Sequence, residues 1–150
     1  MGTQHPTIDD SELGTLTRAE STLDDGQTVT HDWFAGTLAS SDQEIELVID
    51  GSSSEQVERL VPRTRAIVAE LDSIRRRASD AIITRFSDGE PTPAELDDGF
   101  NDLVLDTIEA TVETTVLHFT DSCGQHFPEG FWPAVQLDET NSILEVSVES

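Results

Sequence analysis

The apolar and polar positions of the chain fall into three successive patterns. Leu13-Gly14-Thr15-Leu16 and the threonine-rich stretch to Leu23 predict a first strand, closed by the turn residues Asp24-Asp25-Gly26. His31 to Leu38 predicts a second. After Ser40-Ser41-Asp42, Ile45, Leu47 and Ile49 alternate with Glu44, Glu46 and Val48, the period of a strand with one buried face. Three strands joined by short turns predict an antiparallel meander. From Ser54 the period becomes helical, with Val57, Leu60, Val61, Ile67, Val68, Leu71, Ile74, Ala78, Ala81, Ile82 and Phe86 recurring every three or four residues. Pro62 lies too deep for the first turn of a helix capped by Ser54, so a break is expected there, with one long helix from about Pro62 to Phe86.

Asp88-Gly89 ends that helix, and Thr92-Pro93-Ala94-Glu95 is a capping box with proline at the first helical position, so a short helix follows. Leu96, Phe100, Leu103 and Val104 give it an apolar stripe, and it is expected to end near Leu105. Beyond it, Ile108 to Phe119 is rich in Thr and Val. Phe131, Val135 and Leu137 form one face of a further strand, Asp138 to Ser142 a polar turn, and Leu144, Val146 and Val148 alternate with Glu145, Ser147 and Glu149. The predicted class is α+β: an antiparallel sheet in the order β-β-β, helices, β-β-β, with one long and one short helix packed on one face. Residues 1–11 are expected to be a disordered tail and residues 12–150 a single domain.

Charge changes this picture more than length does. The 150 residues carry 31 Asp and Glu against 8 Arg and no Lys, a formal net charge of −23. A surface so negative repels phosphate backbones and anionic lipid, so neither nucleic acid nor membrane is an expected partner. Hydrated carboxylates without lysine fit adaptation to high salt, where the Debye length shrinks to about 3 Å at 1 M and self-repulsion is screened. The alternative, disorder, is opposed by the periodic apolar segments. One cysteine forms no internal disulfide, no early apolar run resembles a signal peptide, and no stretch is apolar for the roughly 18 residues of a membrane span, so a soluble cytoplasmic protein is expected.

Several short motifs resemble those of domain-of-unknown-function family 2262 of prokaryotes. They are Leu13-Gly14-Thr15-Leu16-Thr17, Trp33-Phe34, the Thr92-Pro93-Ala94-Glu95-Leu96 helix start, Leu105-Asp106-Thr107-Ile108 and Phe131-Trp132. The resemblance implies the order of elements and no activity. Where that family continues Phe-Trp with Gly-His, this chain has Pro133-Ala134, so a function resting on that histidine does not carry over.

Candidate chemistry is sparse. His118, Cys123 and His126, with Asp121 and Glu129, are the nearest approach to a metal constellation, but only Cys123-x-x-His126 has the close pairing of zinc ligands. No metal and no cofactor is therefore expected. As a nucleophile Cys123 would need a nearby cation, with His126 or His118 as base, whereas its neighbours are carboxylates. Asp9-Asp10, Asp24-Asp25 and Asp97-Asp98 read as solvated surface, and no glycine-rich phosphate loop is present. Trp33, Phe34, Phe127, Phe131 and Trp132 are expected to meet if the second and fifth predicted strands are neighbours.

Arginine placement says more. Seven of the eight, Arg59, Arg63, Arg65, Arg75, Arg76, Arg77 and Arg85, fall between Glu55 and Phe86 beside only five acids. Pairs such as Glu55 with Arg59, Asp72 with Arg76 and Arg77 with Asp80 are available at helical spacing. Arg75-Arg76-Arg77 span about 200° of a helix, so at least one faces solvent or a partner. The expectation is a non-enzymatic interaction module that docks a protein partner or a second copy through Arg75, Arg76 and Arg77. The alternative is a hydrolase or metal-dependent enzyme using the His118-Cys123-His126 loop. A concave pocket with converging titratable groups favours the second, a flat exposed patch the first.

Overall fold

The computed structural model describes residues 7–40, 43–123 and 126–150. Among them are eight strands and three helices: β1 (Ile8–Asp10), β2 (Gly14–Thr22), β3 (Thr28–Ser40), β4 (Gln43–Asp50), α1 (Ser54–Ala69), α2 (Leu71–Arg85), α3 (Pro93–Asp102), β5 (Leu103–Ala110), β6 (Thr115–Asp121), β7 (Trp132–Leu137) and β8 (Ile143–Glu149). The strands form one mixed sheet in chain order, two four-stranded antiparallel meanders joined by a parallel β4–β5 pair. That pair is parallel because the helices carry the chain across between its two strands. The class is α+β, as the patterns predict, with four strands on each side of the helices where three were expected.

The added strand at the start is β1, inside the segment expected to be a tail. Ile8 and Asp10 are buried, and Asp10 accepts hydrogen bonds from the amides of Glu12 and Leu13 while meeting the Arg65 guanidinium of α1. The part of the expected tail in residues 1–6 lies outside the described residues.

The single long helix is also corrected. Ser53 caps α1 by accepting from the Gln56 amide, and the helix runs through Pro62 without a break. It stops at Glu70, whose φ of −115° and ψ of 26° leave the helical region, and α2 begins at once. Buried positions Val57, Leu60, Val61, Thr64 and Ile67 of α1 continue in phase into Leu71, Ile74, Ala78 and Ile82 of α2. These stripes share one core with Phe34, Leu47 and Ile49 of the first meander and Ile108, Leu117 and Val135 of the second. Each fully buried Val, Leu, Ile or Phe among them contributes about 1.5–3 kcal/mol relative to exposure.

The short helix differs in placement and length. The Thr92–Glu95 capping box forms as read from the sequence. Its only buried residue is Gly99, set against Ile83, so α3 leans on α2 rather than spreading over the sheet. It ends at Asp102, and Leu103 to Leu105, expected in the helix, open β5.

Candidate functional site

The passage from α3 to β5 has no linker, and that places a carboxylate where the sequence does not show one. Because Leu103 pairs with Asp121 across β5 and β6, Asp102 lies beside the first residue of the loop after β6. Ser122 seals the junction, donating both its amide and its hydroxyl to the Asp102 carbonyl at 2.8 and 2.7 Å. Two residues of the Cys123–His126 pair then fall next to the Asp102 carboxylate. His126 Nε2 is 3.0 Å from Asp102 Oδ2, and the ligand atoms of Asp102, Cys123 and His126 all lie within 4.8 Å of one another.

Asp121 shapes this loop. Its Oδ2 accepts from the amides of His126 (2.7 Å) and Phe127 (3.0 Å), and its Oδ1 accepts from the Cys123 thiol at 3.3 Å. Burial works against the Asp121 charge, but the Phe127 amide, the thiol and the His126 amide together outweigh it and hold the carboxyl below its ordinary range. Two carboxylates thus bracket Cys123. That environment opposes a bare thiolate nucleophile and favours a thiolate neutralised by a cation.

His126 also lines a cleft of about 250 Å³ with Phe127, with Ile82 and Ile83 of α2 and the capping residue Phe86, and with Glu95 and Asp98 of α3. Phe86 and Phe127 meet edge to face at 5.4 Å and bind the loop to the end of α2.

His118 is not part of this cluster. It stands on the opposite face of the sheet, where Trp132 Nε1 donates to its Nδ1 at 3.1 Å and its Nε2 lies 2.9 Å from Glu109 Oε1. An indole nitrogen only donates, so Nδ1 is the acceptor and the ring proton sits on Nε2, given to Glu109. The three-residue loop site expected from the sequence is therefore split: Cys123 and His126 come together, Asp102 joins them, His118 is elsewhere, and Glu129 is exposed. The aromatic convergence does not occur either, because β3 and β7 are separated by three strands. Phe34 is core, Trp33 stacks on His31 at 4.4 Å, and Phe131 is exposed.

Of the three successive arginines, two turn toward α3. The Arg75 and Arg76 guanidinium carbons lie 5.2 and 5.5 Å from the centre of the Phe100 ring. Arg76 also bridges the helices, from Nε to Asp80 Oδ1 (3.0 Å) and from its terminal nitrogen to Asp97 Oδ1 (2.8 Å). Hydrogen bonding to Asp97 and the charges of both acids raise its pKa further. The Glu55–Arg59 pair forms at 3.4 Å, whereas Arg76, not Arg77, pairs with Asp80, and it does so in place of Asp72. Arg77 is exposed and, among the described residues, has no carboxylate within ion-pair distance.

Arg77 instead lines an open groove of about 700 Å³ between α2 and β8, whose charged lining is Arg77, Arg85, Asp80 and Glu145 and whose apolar lining includes Ile143, Leu144 and Val146. β8 is the last strand of the sheet and its outer edge is unpaired. Leu144, the extra residue of a bulge opposite Gln136 and Leu137, is 56% exposed, and Val148 is 40% exposed. The edge at the other end of the sheet is polar: beyond β1, Thr17 to Thr22 of β2 contains no large apolar side chain. Among the described residues no helix is long and apolar enough to cross a membrane. No family model matches the chain, and no curated protein or solved structure matches it.

Proposed function

We propose that this chain is a non-enzymatic interaction module that works by strand pairing along the β8 edge, with β8 of a second copy as the occupant. The observation that supports the reading is the contrast between the two sheet edges: β2 presents threonine, serine and glutamate, whereas β8 presents Leu144 and Val148 beside the Arg77–Arg85 groove. Natural sheets guard their edges with charge or short strands, and a long apolar edge is a template for another strand. From Glu145 to Glu149 valine alternates with glutamate or serine. Antiparallel pairing of two copies about a two-fold axis continues the sheet and sets the apolar positions of the two β8 strands side by side, next to the groove that holds Arg77 and Arg85. Of the sequence-predicted docking residues, Arg77 serves this contact, and Arg75 and Arg76 position α3.

The surface composition is read as salt adaptation in a cytoplasmic protein, and it bears on this contact: two copies each at −23 repel in dilute buffer and associate only when screened. Sedimentation velocity in molar KCl tests the proposal. The wild type is expected to sediment as a dimer, and Leu144→Lys with Val148→Lys as a monomer with nearly unchanged melting temperature, since both positions are exposed. A wild type monomeric at high protein concentration in molar KCl, or a double variant that still dimerises, overturns it.

A further inference from the structure

The geometry points to a divalent-metal site of the zinc class formed by Asp102, Cys123 and His126, independent of the β8 edge. A carboxylate, a thiol and an imidazole from two separate stretches of chain bring their ligand atoms within 4.8 Å of one another. That donor set matches zinc, which takes sulfur, nitrogen and oxygen ligands at about 2.0–2.3 Å with little geometric preference of its own. Two ligands at such distances on a tetrahedral centre are about 3.3–3.7 Å apart. The 3.0 Å between His126 Nε2 and Asp102 Oδ2 needs only slight opening to admit the ion, and the thiol has to close by at most about 1 Å.

The carboxylates around the thiol fit a metal site better than a bare nucleophile. Cys123 is flanked by the Asp121 and Asp102 carboxylates, and a divalent ion held among these groups offsets the negative charge that a thiolate adds there. Binding releases the Cys123 proton to solvent, His126 carries its remaining proton on Nδ1, and thiolate plus Asp102 carboxylate cancel the ion's two charges. Asp121 is the supporting residue, since it fixes the backbone of His126 and Phe127 and so aims the imidazole. Three protein ligands leave one tetrahedral position for water or an exogenous donor, beside the cleft that His126 shares with Phe86 and Phe127.

An acidic protein collects divalent ions on its surface, so the test separates this site from that background. Cobalt is titrated into reduced protein with excess magnesium, which occupies oxygen-only sites and competes poorly for sulfur and nitrogen. The expected result is one equivalent of cobalt with a near-ultraviolet thiolate charge-transfer band and the visible spectrum of a tetrahedral ion, displaced by zinc. Cys123→Ser abolishes the band, and His126→Ala weakens zinc binding at least about tenfold, the lower end of what even an outer-shell change costs. Both positions are exposed, and circular dichroism of the variants confirms the fold. Bound zinc also slows alkylation of Cys123 by iodoacetamide. An octahedral spectrum without a thiolate band, or zinc binding unchanged by Cys123→Ser, shows surface carboxylate binding only and overturns the proposal.

Discussion

Asp10 shows how one residue fastens an edge of the sheet. Its side chain is 2% exposed and its partner Arg65 is 46% exposed, so the pair straddles the boundary between core and water. The hydrogen bond from Arg65 is the largest influence on its carboxyl, burial opposes it, and the Glu12 and Leu13 amides add to the guanidinium, lowering the pKa to about 2. A carboxyl whose folded pKa is depressed stabilises the fold above the unfolded value, and that contribution is lost as pH falls through the folded one. The window here runs from about pH 4 down to about pH 2. The shift corresponds to no more than about 2.5 kcal/mol, and to about 1–2 kcal/mol once screening at the half-exposed guanidinium is allowed for. Asp10→Asn is expected to lower stability by that amount in urea melts at neutral pH, and the gap from wild type to close in melts near pH 2. A gap independent of pH would assign the effect to the amide's altered geometry. Nothing in the Asp9-Asp10 dipeptide distinguishes the two residues, since the burial of Asp10 depends on α1 arriving more than fifty positions later in the chain.

Between elements, Gly99 of α3 sits where α2 leaves no room for a side chain. A methyl group built there would lie 2.3 Å from Ile83 Cγ1 and 2.7 Å from its Cδ1. Alanine in a helix gains about 1 kcal/mol over glycine, but overpacking costs about 1–3 kcal/mol, so Gly99→Ala is expected to lower the melting temperature. In Gly99→Ala with Ile83→Ala the space is restored, and the double variant should be more stable than the two single losses add up to. Strict additivity in denaturant melts would mean that α3 shifts freely on α2.

The same elements show what periodicity can reveal. The α1 and α2 stripes are legible because burial follows a helical period, yet the break at Glu70 is invisible because the period passes through it in phase from Ile67 to Leu71. Pro62 signals a break that does not occur; it is exposed on the solvent side of α1. For the site, the Cys123–His126 spacing is readable, but Asp102 enters only through the β5–β6 register, and His118 leaves because strand alternation turns it to the other face.

Across the whole molecule, two electrostatic effects of opposite sign compete when salt is added. Screening weakens the ion pairs Arg65–Asp10, Arg76–Asp97 and Arg59–Glu55, and it also weakens the mutual repulsion of carboxylates in a chain of net charge −23. The exposed pairs contribute about 0–1 kcal/mol each and the part-buried Arg65–Asp10 pair about 1–2 kcal/mol, and few are present among the described residues. Repulsion acts over every pair of excess charges within a Debye length, which grows from about 3 Å at 1 M to about 30 Å at 0.01 M. Repulsion therefore dominates, and the melting temperature is expected to rise with KCl from millimolar to molar. Sucrose, which stabilises by exclusion from the protein surface without screening, supplies the control. Lowering the pH toward the carboxylate range at low salt should raise stability first, as repulsion is relieved, and reduce it only when carboxylates such as Asp10 and Asp121, held below their ordinary range, take up protons. A melting temperature that falls with KCl, or that KCl raises no more than sucrose does, would show that the arginine pairs or solvent exclusion, rather than the acidic surface, set the response to salt.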